Sequence, residues 1–273
     1  MKKTFEKLLR LDRRIFFVIL SLALAVPIIK PLNLPGAEPA KDVKSIYNKI
    51  ESLPEGSALM LSFDFDPASR PELYPQCVAV ARHAFKKNLR VVALYFWPAA
   101  SGIVEEVFAK VAPEYGKIYG KDYVIFPYQP KIDAVLTQMG SDIYGVYNKD
   151  KNGADLKTLP VMQGIKNYKD VAFVMDFAAG ATIEYWVAYA SDKFGFKLGG
   201  GCTAISQPGY GPYLQTGQLT GLLGGMKGAA DYENLIKQAG KGTSGMDALN
   251  VAHFLVLALI IISNLMIAYI KFF

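Results

Sequence analysis

Residues 58–67 read ALMLSFDFDP, a largely apolar run that ends in two aspartates and a proline. Strands that are buried on both faces have such continuous apolar runs, as in parallel sheets with helices on each side. A helical pattern follows over residues 72–88, with Val78, Ala81 and Phe85 on one face. A strand followed by a helix is the unit from which these sheets are built, so this stretch predicts an α/β fold.

The same alternation continues along the chain. Further strands are predicted over residues 91–97, 123–126, 171–177 and 196–205, and further helices over residues 41–53, 102–111, 132–144, 181–193 and 213–238. Successive strand–helix–strand units in one sheet are right-handed. We therefore predict a doubly wound, mostly parallel five-stranded sheet, either Rossmann-like or flavodoxin-like.

Apolar segments flank this domain at both ends. Residues 15–29 carry no charge, and an extension to residue 34 is long enough for a transmembrane anchor. A basic segment before an apolar core is also typical of a cleaved signal peptide, so that alternative stays open. Residues 251–270 predict a second transmembrane helix, because they carry no formal charge and end at Tyr269 and Lys271 as interface anchors.

The net charge is concentrated beside these apolar segments. The chain has 30 basic and 24 acidic residues, a formal net charge of +6. Residues 1–14 hold six bases and two acids, and Lys30 and Lys271 supply the rest of the excess. A nucleic-acid-binding domain would carry the excess on its folded surface, so we predict no nucleic-acid partner. The positive-inside rule instead places residues 1–14 and the C-terminus in the cytoplasm, with the domain at residues 41–247 outside the cytoplasmic membrane.

Three aspartates fall at predicted strand ends, where open α/β sheets bind their ligands. Asp64 and Asp66 follow the first strand, and Asp176 lies at the end of the fourth. Three converging carboxylates would bind Mg²⁺, which makes these residues the catalytic and metal-binding candidates of a hydrolase hypothesis. The alternative is that Asp64 and Asp66 cap the turn into the next helix. No other cofactor is predicted.

The tripeptide DFD at residues 64–66 resembles the first motif of haloacid-dehalogenase-like phosphohydrolases. The resemblance implies that Asp64 is the nucleophile and Asp66 the acid/base, and it extends loosely to Ser101 and Asp176. The sequence PAS follows where the family has Thr or Val, and the paired acids of its last motif are missing. A membrane-tethered, Mg²⁺-dependent phosphohydrolase is thus one hypothesis, although the missing motifs favour a protein that is not an enzyme.

The remaining reactive side chains give weaker signals. No glycine-rich dinucleotide or phosphate motif follows the first strand. His83 lies in a helical pattern without a nucleophile motif to pair with it, and we predict that it lies on the helix surface. Cys77 and Cys202 are predicted to be small buried side chains, with a disulfide as the alternative.

Glycines are frequent in the last predicted helix, where residues 215–233 read QTGQLTGLLGGMKGAADYE. Each costs up to about 1 kcal/mol relative to alanine in a helix, so close packing against another helix would offset the cost. Packing on the domain's own sheet, or a broken helix, are the alternatives. In lipid a side-chain amide, such as that of Asn264, is stabilised by a hydrogen-bond partner on another helix. The predicted oligomer contacts are Gly217, Gly221, Gly224, Gly225, Gly228 and Asn264.

These patterns lead to one favoured function and two alternatives. We expect a membrane-anchored structural or organising protein whose α/β domain self-associates or docks on another membrane protein. Its expected partners are the lipid bilayer and further copies of the chain or another membrane protein. The alternatives are the phosphohydrolase and a sensor that binds a small ligand near Trp97 and Tyr210.

Overall fold

Six parallel strands form the centre of the protein. The structure, a computed structural model, describes residues 8, 9, 11–32, 34 and 38–272. The strands are β1 (Ala58–Asp64), β2 (Arg90–Leu94), β3 (Tyr123–Ile125), β4 (Phe173–Ala178), β5 (Leu198–Cys202) and β6 (Leu219–Gly224). Their order is β3-β2-β1-β4-β5-β6, and every neighbouring pair is parallel. This is a Rossmann-like order, so the predicted fold class is confirmed and the predicted number of five strands is wrong.

Helices cover both faces of the sheet. They are α1 (Arg13–Ile29), α2 (Lys41–Glu51), α3 (Arg70–Lys86), α4 (Ser101–Glu114), α5 (Ile132–Met139), α6 (Thr182–Trp186), α7 (Gly211–Gln215), α8 (Gly225–Leu235) and α9 (Lys241–Phe272). The first face is packed by α2, α3, α4 and α8. The second face is packed by α5, α6, α7 and the long connection between β3 and β4.

The central strands β1 and β4 are buried along their whole length. Because successive side chains of a strand point to opposite faces, the two strands feed two cores. Leu61 and Phe63 of β1 pack in the first core, and Met60 packs in the second. The same alternation directs Asp64 of β1 and Asp176 of β4 towards the second face. The polar side chains at this strand end therefore lie under α6 and its neighbours.

The predicted helix over residues 213–238 is wrong in its middle, where the chain forms β6 between α7 and α8. Gly217 and Gly225 have φ angles of 76° and 58°, a left-handed conformation that interrupts a helix on either side of the strand. Leu222 and Leu223 are buried in the strand. The leucines that contributed to the helix prediction thus lie in the edge strand of the sheet.

Four glycines of this stretch, Gly221, Gly224, Gly225 and Gly228, pack within the chain, whereas a Cβ at Gly217 would meet open space. At Gly221 a Cβ would overlap the main-chain carbonyl of Asp42 in α2, so the missing side chain lets α2 cross the edge strand closely. At Gly228 a Cβ would lie 2.8 Å from the main chain of Leu223. A continuous helix, on which the predicted oligomer contact depends, is therefore absent. The helical ridge predicted from Gly217, Gly221, Gly224, Gly225 and Gly228 is therefore wrong, because these residues are divided among a turn, β6 and α8.

The two terminal apolar helices lie against each other. They are antiparallel, because the chain just after α1 bonds to the start of α9, where the Asp247 carboxylate accepts hydrogen bonds from the amides of Leu32 and Leu34 at 2.8 and 3.2 Å. Among the described residues, α9 alone is long and apolar enough to cross a membrane, judged by length and composition. Since α1 has 17 residues, only one of the two predicted transmembrane helices is supported. Residues 1–7 and 10 of the predicted basic segment lie outside the described residues.

Candidate functional site

The crevice of the fold lies where β1 and β4 meet. The chain leaves β1 for α3 on the first face and leaves β4 for α6 on the second, so the two connections diverge. In doubly wound sheets ligands bind at such a point. Asp64 ends β1, and Asp176 pairs in register with Ser62. Both aspartates are completely buried, so the structure brings together two of the three predicted carboxylates.

Asp64 accepts well-formed hydrogen bonds at both carboxylate oxygens. The Ser62 hydroxyl donates to Oδ2 at 2.5 Å, and the amide of Phe96 donates to Oδ1 at 2.6 Å. Burial raises the pKa of Asp64, while bonds from Asp176, Ser62 and Phe96 lower it in part. The side chain therefore ties the end of β1 to the chain that follows β2.

Asp176 has the opposite environment. Neither of its carboxylate oxygens meets a donor with good hydrogen-bond geometry among the described residues. Burial raises its pKa well above the usual range, and the charge of Asp64 raises it further. A proton on Asp176 turns one acceptor into a donor to Asp64 and removes one of two facing negative charges. The raised pKa values favour the protonated form of at least one of these two buried carboxyl groups.

Asp66 does not join this pair. Its carboxylate accepts from the amides of Ala68 and Ser69 at 3.1 and 3.2 Å, which is the turn-capping role considered as the alternative. No group of three or more His, Cys, Asp or Glu side chains that could hold a metal ion is found in the described part of the chain. The structure therefore does not bring Asp66 together with Asp64 and Asp176 as one metal-binding group among the described residues.

Aromatic side chains cover the turn that follows β4. A Cβ at Gly180 would lie 2.8 Å from the Trp97 ring, so the indole lies directly on that glycine. The Tyr210 hydroxyl donates to the carbonyl of Gly180 at 3.2 Å and lies 3.1 Å from the Glu184 carboxylate. Trp97 and Tyr210, the residues of the sensor hypothesis, therefore meet at one turn, where they pack on the protein itself.

His83 is buried, which corrects the prediction of a surface position. Its ring stacks on Tyr47 at a centroid distance of 4.7 Å, and its nitrogens lie 2.8 Å from the Tyr232 hydroxyl and from the Glu51 carboxylate. Burial lowers the pKa of His83, whereas the bond to Glu51 raises it. The prediction failed because α2 and α8 cover this side of α3, and a single helical pattern carries no signal for that cover.

Cys77 and Cys202 are free and buried, as the favoured interpretation holds. They lie in the cores on opposite faces of the sheet. Burial raises the pKa of the Cys202 thiol to about 12 and that of Cys77 well above its usual value. Both thiols are therefore held in the protonated, unreactive form.

Sequence reasoning missed a second set of buried carboxylates, at the joint between the domain and the helix pair. Glu233 accepts from the amides of Gly240, Gly242 and Thr243 and from the Thr243 hydroxyl, at 2.7 to 3.0 Å. These donors belong to the segment that starts α9, so the carboxylate caps the N-terminus of the longest helix. The sequence signal for this cap was an acidic residue close to the glycine-rich turn that precedes the apolar segment.

Two further acids complete this joint. Asp231 accepts from the amide of Ala40, the residue that precedes α2, at 3.1 Å and from the ammonium group of Lys227 at 2.6 Å. Asp247 holds the segment after α1, as described above. All three carboxylates are nearly inaccessible to solvent. We call Asp231, Glu233 and Asp247 the carboxylate joint; it fixes α1, α2 and α9 to α8.

Comparison of the chain with protein-family models, with curated proteins and with solved structures finds no match. The function is therefore argued from the geometry of the crevice, the helix pair and the carboxylate joint.

Proposed function

We propose that the protein is a membrane-anchored organising protein, held in the bilayer by α1 and α9 and self-associating through α9. The observation that carries the proposal is the antiparallel pair of apolar helices, which the carboxylate joint fixes to the α/β domain. The outward-facing side chains of both helices are apolar and exposed, as at Phe17, Leu22, Phe254 and Leu265. Lipid is the solvent that suits such a surface.

The length of α9 supports a bilayer location, and the shorter α1 lies against it. The 17 residues of α1 span about 25 Å, and residues 251–270 of α9 span about 30 Å, close to the thickness of the hydrocarbon core. The bond from Leu32 to Asp247 puts the domain-side ends of the two apolar segments at one level. Arg13, Arg14 and Lys271 mark the far ends, so the positive-inside rule favours cytoplasmic termini and an extracytoplasmic domain.

A rigid joint supports an organising role. A flexible linker is sufficient to tether an enzyme near a membrane. Here three buried carboxylates bond the connecting segments directly, so the domain is held in one orientation relative to the helices. A fixed orientation presents the same face of the domain to every neighbour in the bilayer, which is what an ordered assembly requires.

Asn264 supports self-association within the bilayer. Its side chain is exposed on α9, in the half of the apolar segment farther from the domain. A side-chain amide facing lipid is stabilised by a partner, and a second copy places an identical amide at the same depth. Such a hydrogen bond contributes only about 0.6 kcal/mol on average, so apolar packing between the helices must supply the rest.

The test is the size of the particle extracted in mild detergent. We expect the wild-type chain to run as a homo-oligomer, and the N264L variant to dissociate at a higher protein concentration than wild type. The matched control is I262L, an exposed position two residues away, which should leave the particle unchanged. A wild-type protein that stays monomeric in several mild detergents at high concentration would overturn the proposal.

The phosphohydrolase hypothesis gains no support from the geometry. The proposed nucleophile, Asp64, is completely buried and accepts two hydrogen bonds, and Asp66 caps a turn. We expect purified protein to show no Mg²⁺-dependent phosphatase activity. Such an activity in wild type, lost in D64N while the fold is kept, would replace the organising role with an enzymatic one.

A further inference from the structure

Two polar side chains in the apolar segment of α9 are exposed. They are His253, near the start of the segment at residues 251–270, and Asn264, in its second half. No hydrogen bond is found for either side chain among the described residues. In the proposed bilayer location both lie on the segment that crosses the hydrocarbon core, where a polar group without a partner is unfavourable.

The helix α1 covers a different side of α9. The two helices lie against each other, and the partly covered residues of α9 recur at helical spacing. These residues are Leu255, Leu259, Ser263, Met266 and Ile270. At about 100° per residue, His253 and Asn264 point within about 20° of each other and about 120° or more away from this covered stripe. The partner that these two side chains need is therefore not α1.

Both polar residues belong to one exposed stripe of α9, which we call the exposed seam. Its members are separated alternately by four and three residues, and each of them is exposed. They are His253, Leu257, Ile260, Asn264, Ile267 and Lys271. This heptad spacing is typical of helices that pack side by side at about 20°, the commonest geometry of helix bundles in membranes. The seam therefore has the pattern of a helix-packing surface.

The polar groups of the exposed seam are complementary to copies of themselves. A side-chain amide has donors and an acceptor, and a neutral imidazole has one donor and one acceptor. Copies that insert with the same topology are parallel, so each polar group meets its counterpart at the same depth. A single asparagine in an apolar seam also fixes the register of the two helices. A second copy of the chain thus satisfies both side chains at once.

We propose that two copies of the chain pack in parallel through the exposed seam, with Asn264 bonded to Asn264 of the partner subunit and His253 bonded to His253 of the partner subunit. The inference rests on the proposed self-association and adds the face, the direction and the register of the contact. Because α1 lies on another side of α9, it stays outside the contact. The two α/β domains therefore stand side by side on the same side of the membrane.

The experiment is disulfide cross-linking of the full chain in native membranes, with copper phenanthroline as the oxidant. Single cysteines replace exposed aliphatic residues on the seam, in L257C and I260C, and away from it, in the matched control I262C. The native Cys77 and Cys202 are buried, so the introduced thiol is the reactive one. Residue 262 points about half a turn away from the seam, so we expect L257C and I260C to form covalent dimer about fivefold faster or more.

A second measurement tests the two polar contacts, by the concentration at which the particle dissociates in mild detergent. From the average strength of hydrogen bonds between membrane helices, we expect H253L and N264L each to raise that concentration about threefold, and the double variant about eightfold. H253Q keeps a donor and an acceptor and should dissociate close to the wild-type concentration. The control I262L should not change the dissociation at all.

The outcomes separate this inference from the proposed self-association. An oligomeric wild-type particle whose I262C variant cross-links as fast as L257C and I260C overturns the seam and leaves self-association standing. The same holds for an oligomer that dissociates at the wild-type concentration in H253L/N264L. A wild-type chain that is monomeric in detergent and gives no cross-links at any of the three positions overturns both. Fast cross-linking at the two seam positions alone, together with weaker association of the double variant, supports the inference.

Discussion

Two regions of this molecule bury carboxylates, and they stabilise them in opposite ways. At the crevice, Asp64 and Asp176 face each other, and burial raises the pKa of both. At the carboxylate joint, each acid faces backbone amides instead, with Glu233 accepting four hydrogen bonds. In the first region one carboxyl group faces another, and in the second each carboxylate faces main-chain amides.

The two environments differ because main-chain amides without a hydrogen-bond partner are present at the joint and not at the centre of the sheet. Helix N-termini and the turns before them have N–H groups without helical partners, and the joint collects three such segments in one place. At the centre of a parallel sheet the strand amides already belong to the ladder, and in the described part of the chain Asp176 meets no donor with good hydrogen-bond geometry. The joint therefore places each carboxylate against main-chain amides, whereas the crevice places two carboxyl groups against each other.

The largest effect is expected at the joint, for E233A. Loss of a buried carboxylate leaves the amides at the start of α9 unpaired, and we expect the free energy of unfolding to fall by about 3 kcal/mol or more. Urea unfolding in detergent measures it. D133A, an exposed acid in the first turn of α5, is the control and should change stability by less than about 0.5 kcal/mol. Equal losses in both variants would mean that Glu233 contributes no more than a surface acid.

A smaller effect is expected for D247A, which releases the segment after α1. The Leu32 and Leu34 amides lose their acceptor, for a loss of about 2 kcal/mol. Protease should then cut residues 30–40 faster than in wild type, while the α/β domain stays intact. An unchanged cleavage rate would show that the joint does not depend on this bond, and would weaken the contrast with the crevice.

The pH dependence of stability is expected to distinguish the crevice from the joint. Because the pKa of Asp176 is raised in the folded protein, its contribution is complete below about pH 4, the pKa of an unfolded aspartate, and is lost as the pH rises through the folded value. In D176N the amide donates to Asp64 without titrating. The stability difference between D176N and wild type should therefore grow in favour of D176N from pH 4 to pH 8. A difference independent of pH would show that the pair shares no proton.

The smallest effect is expected for D66A, since Asp66 only caps a turn. Two hydrogen bonds to the amides of Ala68 and Ser69 are lost, at a cost of about 1 kcal/mol. D66N keeps an acceptor oxygen and should recover most of the loss, as followed by the midpoint of thermal unfolding. A loss in D66A as large as that in E233A would show that Asp66 contributes more than a turn cap does.

The sheet was predictable because its signal is local. Residues 58–63 are apolar on both faces except at Ser62, and such a run is typical of a strand that is covered on both sides. The stretch around Gly221 misled prediction because its leucines and glycines fit a helix with a glycine ridge equally well. Tertiary packing favours the strand β6 over a helix, because α2 crosses Gly221 too closely for any side chain at that position.

The candidate site was predictable in part for the same reason. The positions of Asp64 and Asp176 were predictable because the sequence shows where strands end. Their contact depends on the strand order, which places β1 beside β4. The role of Asp66 depended on the direction of one side chain, which spacing alone did not determine. The joint was not predicted at all, because Asp231, Glu233 and Asp247 bond to segments before α2, before α9 and after α1.

The sequence by itself determined the α/β class, the apolar terminal segments and the positions of the strand-end acids, because each depends on the period of neighbouring residues. Only the tertiary structure decided which buried carboxyl groups face each other and which meet backbone amides. It also decided that His83 is covered and that the glycines near residue 221 fit against α2. The physical reason is that burial, hydrogen bonding and close packing depend on contacts between residues that are far apart in the chain.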